Sequence, residues 1–267
     1  MSKLRQRPNL VASLGEHFKP PNYPPGGGAL AHLRSRLLRF IDLQTSTIWR
    51  DLSEALPQAH GTVVDVGCGV QPYRHLFGDG VKYIAIDRAE AGQQFGFDAP
   101  DTLYYSGDRW PLESGSADFI LCTETLEHVL VPGVFLGEMF RCLKPGGRVL
   151  LTTPFAARWH HVPYDYWRPT PSALNHLMTQ AGFVDVGVYG RGNQLTVACY
   201  KGMGFVFSLL SPQPSNAAFE WLCRGVGALG VPLMLALAAL ANATKGWHGA
   251  VDFLGFTIVA EKHSASG

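Results

Sequence analysis

The middle of the chain alternates short apolar runs with segments of helical periodicity. From Gly61 onward the apolar runs are TVVDVG, KYIAID, TLYYSGD, ADFILC and RVLLTTP. Runs that are apolar throughout are typical of parallel strands covered on both faces. Between two of them, Phe135, Met139 and Leu143 recur four residues apart, which predicts a helix over residues 134–143. The alternation predicts an α/β fold built on an open, mostly parallel sheet.

A second helix is predicted at residues 170–182, after the last of these runs. Thr170 is suited to the N-cap position, Pro171 occupies the first helical position, and Gly182 ends the pattern. Apolar residues recur at helical spacing between them. Strands and helices therefore alternate over residues 61–202, which we expect to form one core domain.

The first 60 residues carry a different pattern. Residues 1–28 contain the cluster KPPNYPPGGG, which is incompatible with a helix or an inner strand, so we expect an irregular leader. Over residues 29–60 apolar positions recur near helical spacing until Pro57, which predicts one long amphipathic helix. Its arginines form either a solvated face or a contact with an acidic membrane surface. No apolar run follows the basic residues near the N-terminus, so the pattern does not predict a secretory signal.

The region 203–250 is the most apolar part of the chain, and residues 251–267 return to strand character in the run FTIVAEK. Residues 225–244 carry no charge and have about the length that spans a bilayer. A single crossing would separate the strands on its two sides. Three interpretations stay open: a helix or hairpin in the membrane interface, a cover for a lipid-linked acceptor, or a contact between two subunits of a homodimer. Trp221 and Trp247 bracket the region, which suits an interface or a core.

Composition and charge narrow the classes of partner and site. The chain has 267 residues and a formal net charge of +1, which gives no electrostatic case for nucleic acid as a partner. Its five cysteines are scattered without a CxxC pair, so the sequence predicts neither a disulfide framework nor a metal site. We therefore expect a cytoplasmic protein with no nucleic-acid partner and no bound metal.

The turn DVGCG after the first strand run is the candidate ligand site. In an open α/β sheet the ligand lies outside the carboxyl ends of the strands, where the backbone of this turn must approach it. A dinucleotide-binding GxGxxG pattern would place its third glycine where this chain has Pro72. Because proline adds a ring and lacks an N–H, the turn is poorly suited to a pyrophosphate. The sequence favours a nucleoside without phosphates.

Two acids follow the next two strand runs. Asp87 ends the second run about twenty residues beyond the glycines, the position of a carboxylate that accepts hydrogen bonds from ribose hydroxyls. Asp108 follows the third run, where its carboxylate is placed to accept from an exocyclic amine of adenine. Either acid alone is also consistent with a capping or turn residue. Their order along the chain, together with the glycine turn, indicates an adenosine ligand.

Together these residues resemble class I S-adenosylmethionine-dependent methyltransferases of the small-molecule or glycan-modifying kind. VVDVGCG resembles the first motif of that family, AID its ribose-binding acid, GDRWPLESGSADFILCTETLEHV its adenine-side and fourth-strand segment, and LKPGGRVLLTTP its fifth-strand motif. The resemblance covers residues 61–183 and resumes at the C-terminus. It implies a Rossmann-like sheet of seven strands with helices on both faces and an antiparallel last strand. It also implies S-adenosylmethionine as cofactor, bound by Asp65, Gly67, Gly69, Asp87, Asp108, Arg109, Thr123 and Glu124.

Two features depart from the family pattern. Many members carry a third alternating glycine where this chain has Gln71. The connection at residues 88–100 is too interrupted by glycine to predict a helix. Both departures concern segments beside the cofactor, and the sequence leaves the loop geometry at Gln71 open.

The loop PFAARWHHVPYDYWRPT after the fifth strand run is the candidate reaction centre. Methyl transfer from a sulfonium is an in-line displacement, so the enzyme aligns the acceptor oxygen and, where needed, removes its proton. Histidine performs the second task near neutral pH. The HxxPxDYxR arrangement resembles one in family members linked to sugar or surface-polysaccharide modification. We expect His160 first and His161 second as the base, Asp165 to orient the imidazole, and an acceptor site formed by Tyr164, Tyr166 and Arg168.

A structural role is the alternative for this loop. The histidines would then cap a turn, Asp165 and Arg168 would form a local ion pair, and the aromatic rings would fill the core of a lid. His128 in TLEHV lies beside the cofactor strand by the resemblance, so no catalytic role is assigned to it.

The sequence thus predicts a cytoplasmic methyltransferase whose acceptor is an oxygen of a sugar or a lipid-linked glycan. Contact of residues 203–250 with the inner face of the cytoplasmic membrane is one of the interpretations left open, beside a packing or subunit contact. One alternative is an NAD-dependent oxidoreductase, which is disfavoured by Pro72 and by Tyr164 being followed four residues on by Arg168 instead of lysine. The other is a membrane-associated module of the same fold without catalysis.

Overall fold

The computed structural model describes residues 29–264 apart from positions 98, 100, 213–215 and 247–250. Within that part, seven strands form one sheet in the order β3-β2-β1-β4-β5-β7-β6. The strands are β1 (Thr62–Val66), β2 (Lys82–Arg88), β3 (Thr102–Tyr105), β4 (Ala117–Thr123), β5 (Leu143–Pro154), β6 (Val184–Arg191) and β7 (Gly255–Glu261). Neighbouring strands are parallel except around β7, which is antiparallel to both β5 and β6. The expected Rossmann-like sheet with an antiparallel last strand is confirmed.

Helices surround this sheet. In the described residues they are α1 (Ala29–Ile41), α2 (Leu43–Ala55), α3 (Ala91–Phe95), α4 (Pro132–Cys142), α5 (Pro171–Gln180), α6 (Gln194–Leu210) and α7 (Ala217–Thr244). The helices predicted at residues 134–143 and 170–182 are α4 and α5. Thr170 is the N-cap of α5, because its side chain accepts a hydrogen bond from the Ala173 N–H at 3.3 Å. The predicted leader, residues 1–28, lies outside the described residues.

The central strands are buried on both faces because their side chains are almost all apolar. Consecutive residues of β4 point to opposite faces of the sheet, so Ile120 and Leu121 enter different clusters. Ile120 packs with Leu136 and Met139 of α4, while Leu121 packs with Leu52 of α2. All five side chains are inaccessible to solvent. The two layers of helices hold the carboxyl ends of β1, β2, β4 and β5 at one edge of the sheet.

The N-terminal segment forms two helices, where the sequence predicted one over residues 29–60. Helix α1 ends at Ile41, and Asp42 is the N-cap of α2. The Asp42 carboxylate accepts hydrogen bonds from the backbone N–H of Thr45 at 3.2 Å and from its hydroxyl at 2.7 Å. A short polar side chain that bonds the backbone in this way starts a new helix. The prediction of one continuous helix is therefore wrong at Asp42.

Helices α6 and α7, which we call the hairpin, connect β6 to β7. Because α6 begins at Gln194, the domain boundary expected between residues 202 and 203 falls inside this helix and is wrong. The Asn193 side chain caps α6, since its Oδ1 accepts from the N–H groups of Leu195 and Thr196 at 3.0 Å each. Its Nδ2 donates to the carbonyl of Thr244 at 2.6 Å, which joins the start of α6 to the end of α7. Trp247, expected to bracket the apolar region, lies outside the described residues.

Candidate functional site

The turn from β1 into residues 67–72, which we call the glycine loop, requires its two glycines for different reasons. Gly67 has φ +64°, and a Cβ added there would lie 2.4 Å from the side chain of Thr125. Gly69 has φ +51°, and a Cβ there would meet no atom within 4 Å. Both values of φ lie in the left-handed region that favours glycine. Gly67 thus lets two loops approach each other, and Gly69 faces open space beside β2.

Gln71 adopts the left-handed backbone conformation that glycine favours, at the position where the family pattern has a glycine. Its φ is +55°, which costs a residue with a side chain about 1 kcal/mol. The buried side chain is directed to β3, where its Nε2 donates to the Thr102 hydroxyl at 3.1 Å. Its Oε1 accepts from Arg74 at 3.1 Å. The departure from glycine therefore changes what the side chain contacts and leaves the turn intact.

Asp87 lies at the end of β2 against the glycine loop. Its Oδ2 accepts a hydrogen bond from the Gly69 N–H at 3.0 Å, and its Oδ1 accepts from the Arg88 N–H at 2.8 Å. Burial raises the pKa of this carboxyl to about 6, although the two backbone N–H groups counteract the rise. A carboxylate oxygen accepts more than one hydrogen bond, so both oxygens keep capacity for hydroxyl donors.

Asp65 is buried between β1 and β2. Its Oδ2 accepts a hydrogen bond from the Tyr83 hydroxyl of β2. Burial raises the pKa of Asp65 to about 7, the Tyr83 hydrogen bond lowers it in part, and the charge of Asp87 adds to the rise. Asp65 therefore supports the end of β1 next to the loop that Gly67 begins.

The two expected adenine-side residues are solvent-exposed. Asp108 and Arg109 lie between β3 and β4. The backbone N–H of the buried Trp110 that follows them donates to the carboxylate of Glu138 of α4 at 3.0 Å. This hydrogen bond fixes the segment to α4. It leaves the side chains of Asp108 and Arg109 at the outer rim of the carboxyl edge.

Thr123 and Glu124 end β4 next to the glycine loop, and Glu124 has φ +46°. The Thr125 hydroxyl donates to the carbonyl of Thr123 at 3.0 Å and lies 3.4 Å from that of Gly67, which joins the two strand ends. The carboxylate of Glu124 accepts from the Thr152 hydroxyl at 2.9 Å. These contacts bring the β4 residues and the glycine loop into one site.

Arg191 is a residue of this site that sequence reasoning missed. It is inaccessible to solvent at the end of β6, and its Nη2 donates to Glu124 Oε1 at 2.7 Å and to the carbonyl of Thr153 at 3.1 Å. Glu124 and Arg191 are 67 residues apart in sequence. The one available signal was an arginine at the end of a strand segment whose other charged residue, Asp185, lies near its start.

His160 belongs to the segment of residues 155–170, which we call the histidine loop, and its side chain is buried. Its Nδ1 lies 2.9 Å from the carbonyl oxygen of Arg158 and 3.2 Å from Asp165 Oδ2. Both oxygens accept hydrogen bonds, so Nδ1 is the protonated nitrogen of the neutral imidazole, and Nε2 is then the atom with the lone pair. The donor Arg168 Nη2 lies 3.4 Å from Nδ1. Asp165 also accepts from the His160 backbone N–H at 3.1 Å. The expected pairing of His160 with Asp165 is present.

Arg168 contacts Asp165 through both terminal nitrogens, with Nη2 2.6 Å from Oδ2. Burial alone would raise the pKa of Asp165, but hydrogen bonds from His160 and Arg168 bring it below its ordinary value. Arg168 also donates to the carbonyl oxygens of Arg158 and Trp167. The guanidinium that we expected at the acceptor therefore fixes the histidine loop.

The remaining loop residues differ in exposure. The ring of His161 lies edge-on to Phe95 of α3, with centroids 4.7 Å apart, and Tyr164 lies 6.4 Å from the same ring. The short helix α3 stands in the connection where none was expected. The rings of Tyr166 and Trp167 are exposed.

The histidine loop is held against the turn after β4, residues 126–129. The Tyr166 N–H donates to the carbonyl of Glu127 at 2.8 Å, and the Trp167 indole donates to that of Val129 at 2.8 Å. This turn places His128 next to His160, with ring centroids 5.1 Å apart.

Burial lowers the pKa of His128 to about 4, so its imidazole is neutral at pH 7. Burial, followed by the charge of Glu124, raises the pKa of Glu127 well above its ordinary value.

Comparison with known proteins gives matches that cover most of the core. A family model described as a methyltransferase domain matches residues 31–188. A tRNA U34 carboxymethyltransferase of Methylococcus capsulatus is 29% identical over an alignment of 168 positions, and the match covers 54% of this chain and 52% of that protein. A malonyl-[acyl-carrier protein] O-methyltransferase of Alcanivorax borkumensis is 29% identical, over 50% of this chain and 51% of that protein. The chain spans about half the length of the curated relatives it matches.

Among solved structures, similarity extends over most of this chain. The methyltransferase of Haloferax volcanii solved as a complex with the Trm112 methyltransferase activator superposes with a TM-score of 0.51 at 18% identity. The match covers 84% of this chain and 94% of that one. At this identity the similarity concerns the fold.

Proposed function

This chain belongs to the methyltransferase domain family, and from that premise we propose that it transfers the methyl group of S-adenosylmethionine to an oxygen of a sugar or a lipid-linked glycan. S-adenosylmethionine is the cofactor, so the alternative of an NAD-dependent oxidoreductase is wrong. The tRNA and acyl-carrier-protein acceptors belong to the relatives that carry those names. A formal net charge of +1 argues against a polyanionic acceptor for this chain.

The cofactor is proposed to lie along the glycine loop. Gly69 leaves the backbone open to a ligand, and Asp87 has the capacity to accept hydrogen bonds from the ribose hydroxyls. Asp65 supports the loop from β1. Thr123 and Glu124 flank the cofactor at the end of β4, and Asp108 and Arg109 take the adenine side at the rim.

The observation that carries the proposed chemistry is the orientation of His160. The carbonyl of Arg158 and the carboxylate of Asp165 hold the Nδ1 proton, so the lone pair of Nε2 is available to act on the acceptor. Arg168 fixes Asp165 in turn. Removal of the proton from the acceptor hydroxyl makes its oxygen a better nucleophile toward the sulfonium methyl. His161 is the second candidate base, and Tyr164 and Tyr166 are proposed to contact the acceptor.

A lipid-linked acceptor is favoured by the hairpin. Helix α7 has 28 residues, and its most apolar window has a mean hydropathy of 1.9 and is only 17% buried. Phe205, Trp221 and Leu229 are 67%, 72% and 84% exposed. Exposed apolar helices of this kind are typical of membrane or partner contacts. Because β6 and β7 are antiparallel neighbours, the hairpin leaves the sheet and returns to it at the same end of these strands. Both ends of the hairpin therefore lie on the same side of a membrane, as an interfacial position at the inner membrane face requires.

The hairpin also contacts the histidine loop. Lys201 of α6 donates to the carbonyl of Ala156 at 2.7 Å, and the Arg158 guanidinium donates to the carbonyl of Gly204. The proposed base thus follows directly after residues bound to α6. An acceptor whose lipid lies along the hairpin would present its headgroup near His160.

The proposal is tested by incubating the purified chain with labelled S-adenosylmethionine and a cell-envelope extract, followed by mass analysis of the methylated product. We expect a methylated glycan or glycolipid, and much less of it with His160→Ala. Binding of S-adenosylmethionine without any methylated product would instead indicate a module without catalysis. Sedimentation with anionic and neutral liposomes tests the hairpin. No binding to either, together with a stable dimer in solution, would assign this surface to a second subunit.

A further inference from the structure

Glu127 is a buried carboxylate without a counter-ion among the described residues. Its side chain is inaccessible to solvent, and neither Oε1 nor Oε2 has a hydrogen-bond partner there. The neighbouring carboxylates are each paired with a guanidinium: Glu124 with Arg191 at 2.7 Å and Asp165 with Arg168 at 2.6 Å. Buried carboxylates are normally hydrogen-bonded, ion-paired or bound to a metal. The site therefore holds one buried carboxyl group for which the described chain supplies no hydrogen-bond partner.

Two imidazoles stand next to this carboxylate, and the Nδ1 atom of each faces a backbone carbonyl. His128 Nδ1 lies 2.8 Å from the carbonyl oxygen of Tyr164, just as His160 Nδ1 lies 2.9 Å from that of Arg158. A carbonyl oxygen only accepts, so both Nδ1 atoms carry protons, and in the neutral imidazole Nε2 is then the atom with the lone pair. His128 Nε2 is 3.8 Å from Glu127 Oε1. Metal-bound histidines are commonly held in this way, with the other ring nitrogen donating to a backbone carbonyl.

From this geometry we propose that Glu127, His128 and His160 bind one divalent transition-metal ion, with Zn²⁺ as the best match. One ligand atom from each residue lies within 4.8 Å of the others. Two imidazoles and one glutamate form a common ligand set for zinc, whereas Mg²⁺ and Ca²⁺ prefer oxygen ligands alone. Tetrahedral zinc with bonds of about 2.0–2.1 Å places its ligand atoms roughly 3.4 Å apart, so modest side-chain rotations close the set.

The ligand set has a consequence for the role of His160, which rests on the proposed function. The Nε2 lone pair cannot bind a cation and receive a proton at once, so His160 acts as a ligand in the metal-loaded enzyme. Three protein ligands leave a position for the acceptor hydroxyl, and zinc lowers the pKa of a bound hydroxyl. The hydroxyl proton passes to solvent, the oxygen forms a bond to the methyl carbon, and the carbon–sulfur bond breaks with its electrons on sulfur. The product is a methyl ether and neutral S-adenosylhomocysteine.

The test measures metal binding by the full, untagged chain with no S-adenosylmethionine or acceptor present. After treatment with a chelator, the chain is titrated with Zn²⁺ by calorimetry and with Co²⁺ by visible absorption, which reports the coordination geometry. We expect one ion per chain in both titrations. Glu127→Gln keeps the shape of the side chain and should weaken Zn²⁺ binding by about a hundredfold or more, since even partners outside the ligand set contribute 10–100-fold.

His176→Ala is the matched control, because His176 is an exposed histidine on α5 outside the cluster. It should bind Zn²⁺ as the wild type does. His128→Gln serves as the second variant if Glu127→Gln does not fold, as judged by its melting temperature. The proposal is overturned if the wild type binds neither ion, or if both variants bind as the wild type does. The first result would mean that Glu127 is simply a protonated acid. Failure of the proposed function is seen separately, as an absence of S-adenosylmethionine binding or of methylated product.

Discussion

Two buried carboxylates stand at the carboxyl edge of the sheet, Asp87 near the end of β2 and Glu127 after β4. Asp87 accepts hydrogen bonds from two backbone N–H groups at 3.0 and 2.8 Å, while neither oxygen of Glu127 has a hydrogen-bond partner in the described residues. The pKa of Asp87 rises only to about 6, whereas that of Glu127 rises well above its ordinary value. Asp87, on the proposed cofactor side, is thus stabilised by backbone N–H groups. Glu127, on the proposed acceptor side, has no such donors among the described residues.

The largest effect is expected for His160→Ala, which should lower the rate of methyl transfer without changing the affinity for the cofactor. His160→Ala should lower the rate of methyl transfer into the envelope extract by about a hundredfold or more, because acceptor activation is lost. The Kd for S-adenosylmethionine should stay the same. Initial rates with labelled cofactor and calorimetry give the two values, with His176→Ala as control. An unchanged rate would remove His160 from the reaction centre.

Asp87→Ala should have the opposite signature. Loss of the hydrogen bonds from ribose to a charged group costs about 2 kcal/mol, so the Kd for S-adenosylmethionine should rise about thirtyfold. The rate at saturating cofactor should change little. Calorimetry measures the Kd, and Asp79→Ala is the control because Asp79 is an exposed acid in the connection between β1 and β2. Equal affinities of the two variants would contradict the assignment of Asp87.

Arg191→Met tests what an unpaired carboxylate costs on the cofactor side. Glu124 would lose its guanidinium partner, and we expect the free energy of unfolding to fall by about 2 kcal/mol. This value is below that of a fully buried pair because the Glu124 side chain is 26% exposed. Urea unfolding measures the change. Adding Glu124→Gln to Arg191→Met should restore part of the loss, whereas a purely additive double variant would argue against the pair.

The smallest expected effect is on the pH dependence of stability. Because burial raises the pKa of Asp87 from 3.8 to about 6, the folded chain binds this proton more tightly than the unfolded chain does. Stability associated with the group is therefore present below pH 4 and is lost as the pH rises to about 6. Asp87→Asn should reduce this loss by on the order of 1 kcal/mol. Melting temperatures between pH 4 and 7 provide the test, and a profile identical to the wild type would contradict it.

The sheet could be predicted because its signals are local. Apolar runs, the N-cap at Thr170 and the glycine turn each depend on a few consecutive residues. The break at Asp42 was missed because one polar residue does not disturb a helical pattern, although its side chain starts a new helix. The start of α6 was missed for a similar reason, since the run QLTVACY is as apolar as a strand.

The candidate site could be predicted only in part. The histidine loop was found because its residues are neighbours in sequence, and the pairing of His160 with Asp165 spans five residues. The contact between Glu124 and Arg191 spans 67 residues, and that between His128 and Tyr164 spans 36. Such contacts depend on which strands are adjacent in the sheet. No single segment of the sequence contains that information.

The hydrogen bond from Asn193 to Thr244 brings the first and last turns of the hairpin to within one side chain of each other. Strands β6 and β7 are antiparallel neighbours, so the two helices occupy the place of the short loop that would join two such strands. A few residues would be enough to bridge the gap if the helices were deleted. The order of the strands does not depend on the hairpin, because β6 and β7 pair directly from Arg191 and Gly255 onward.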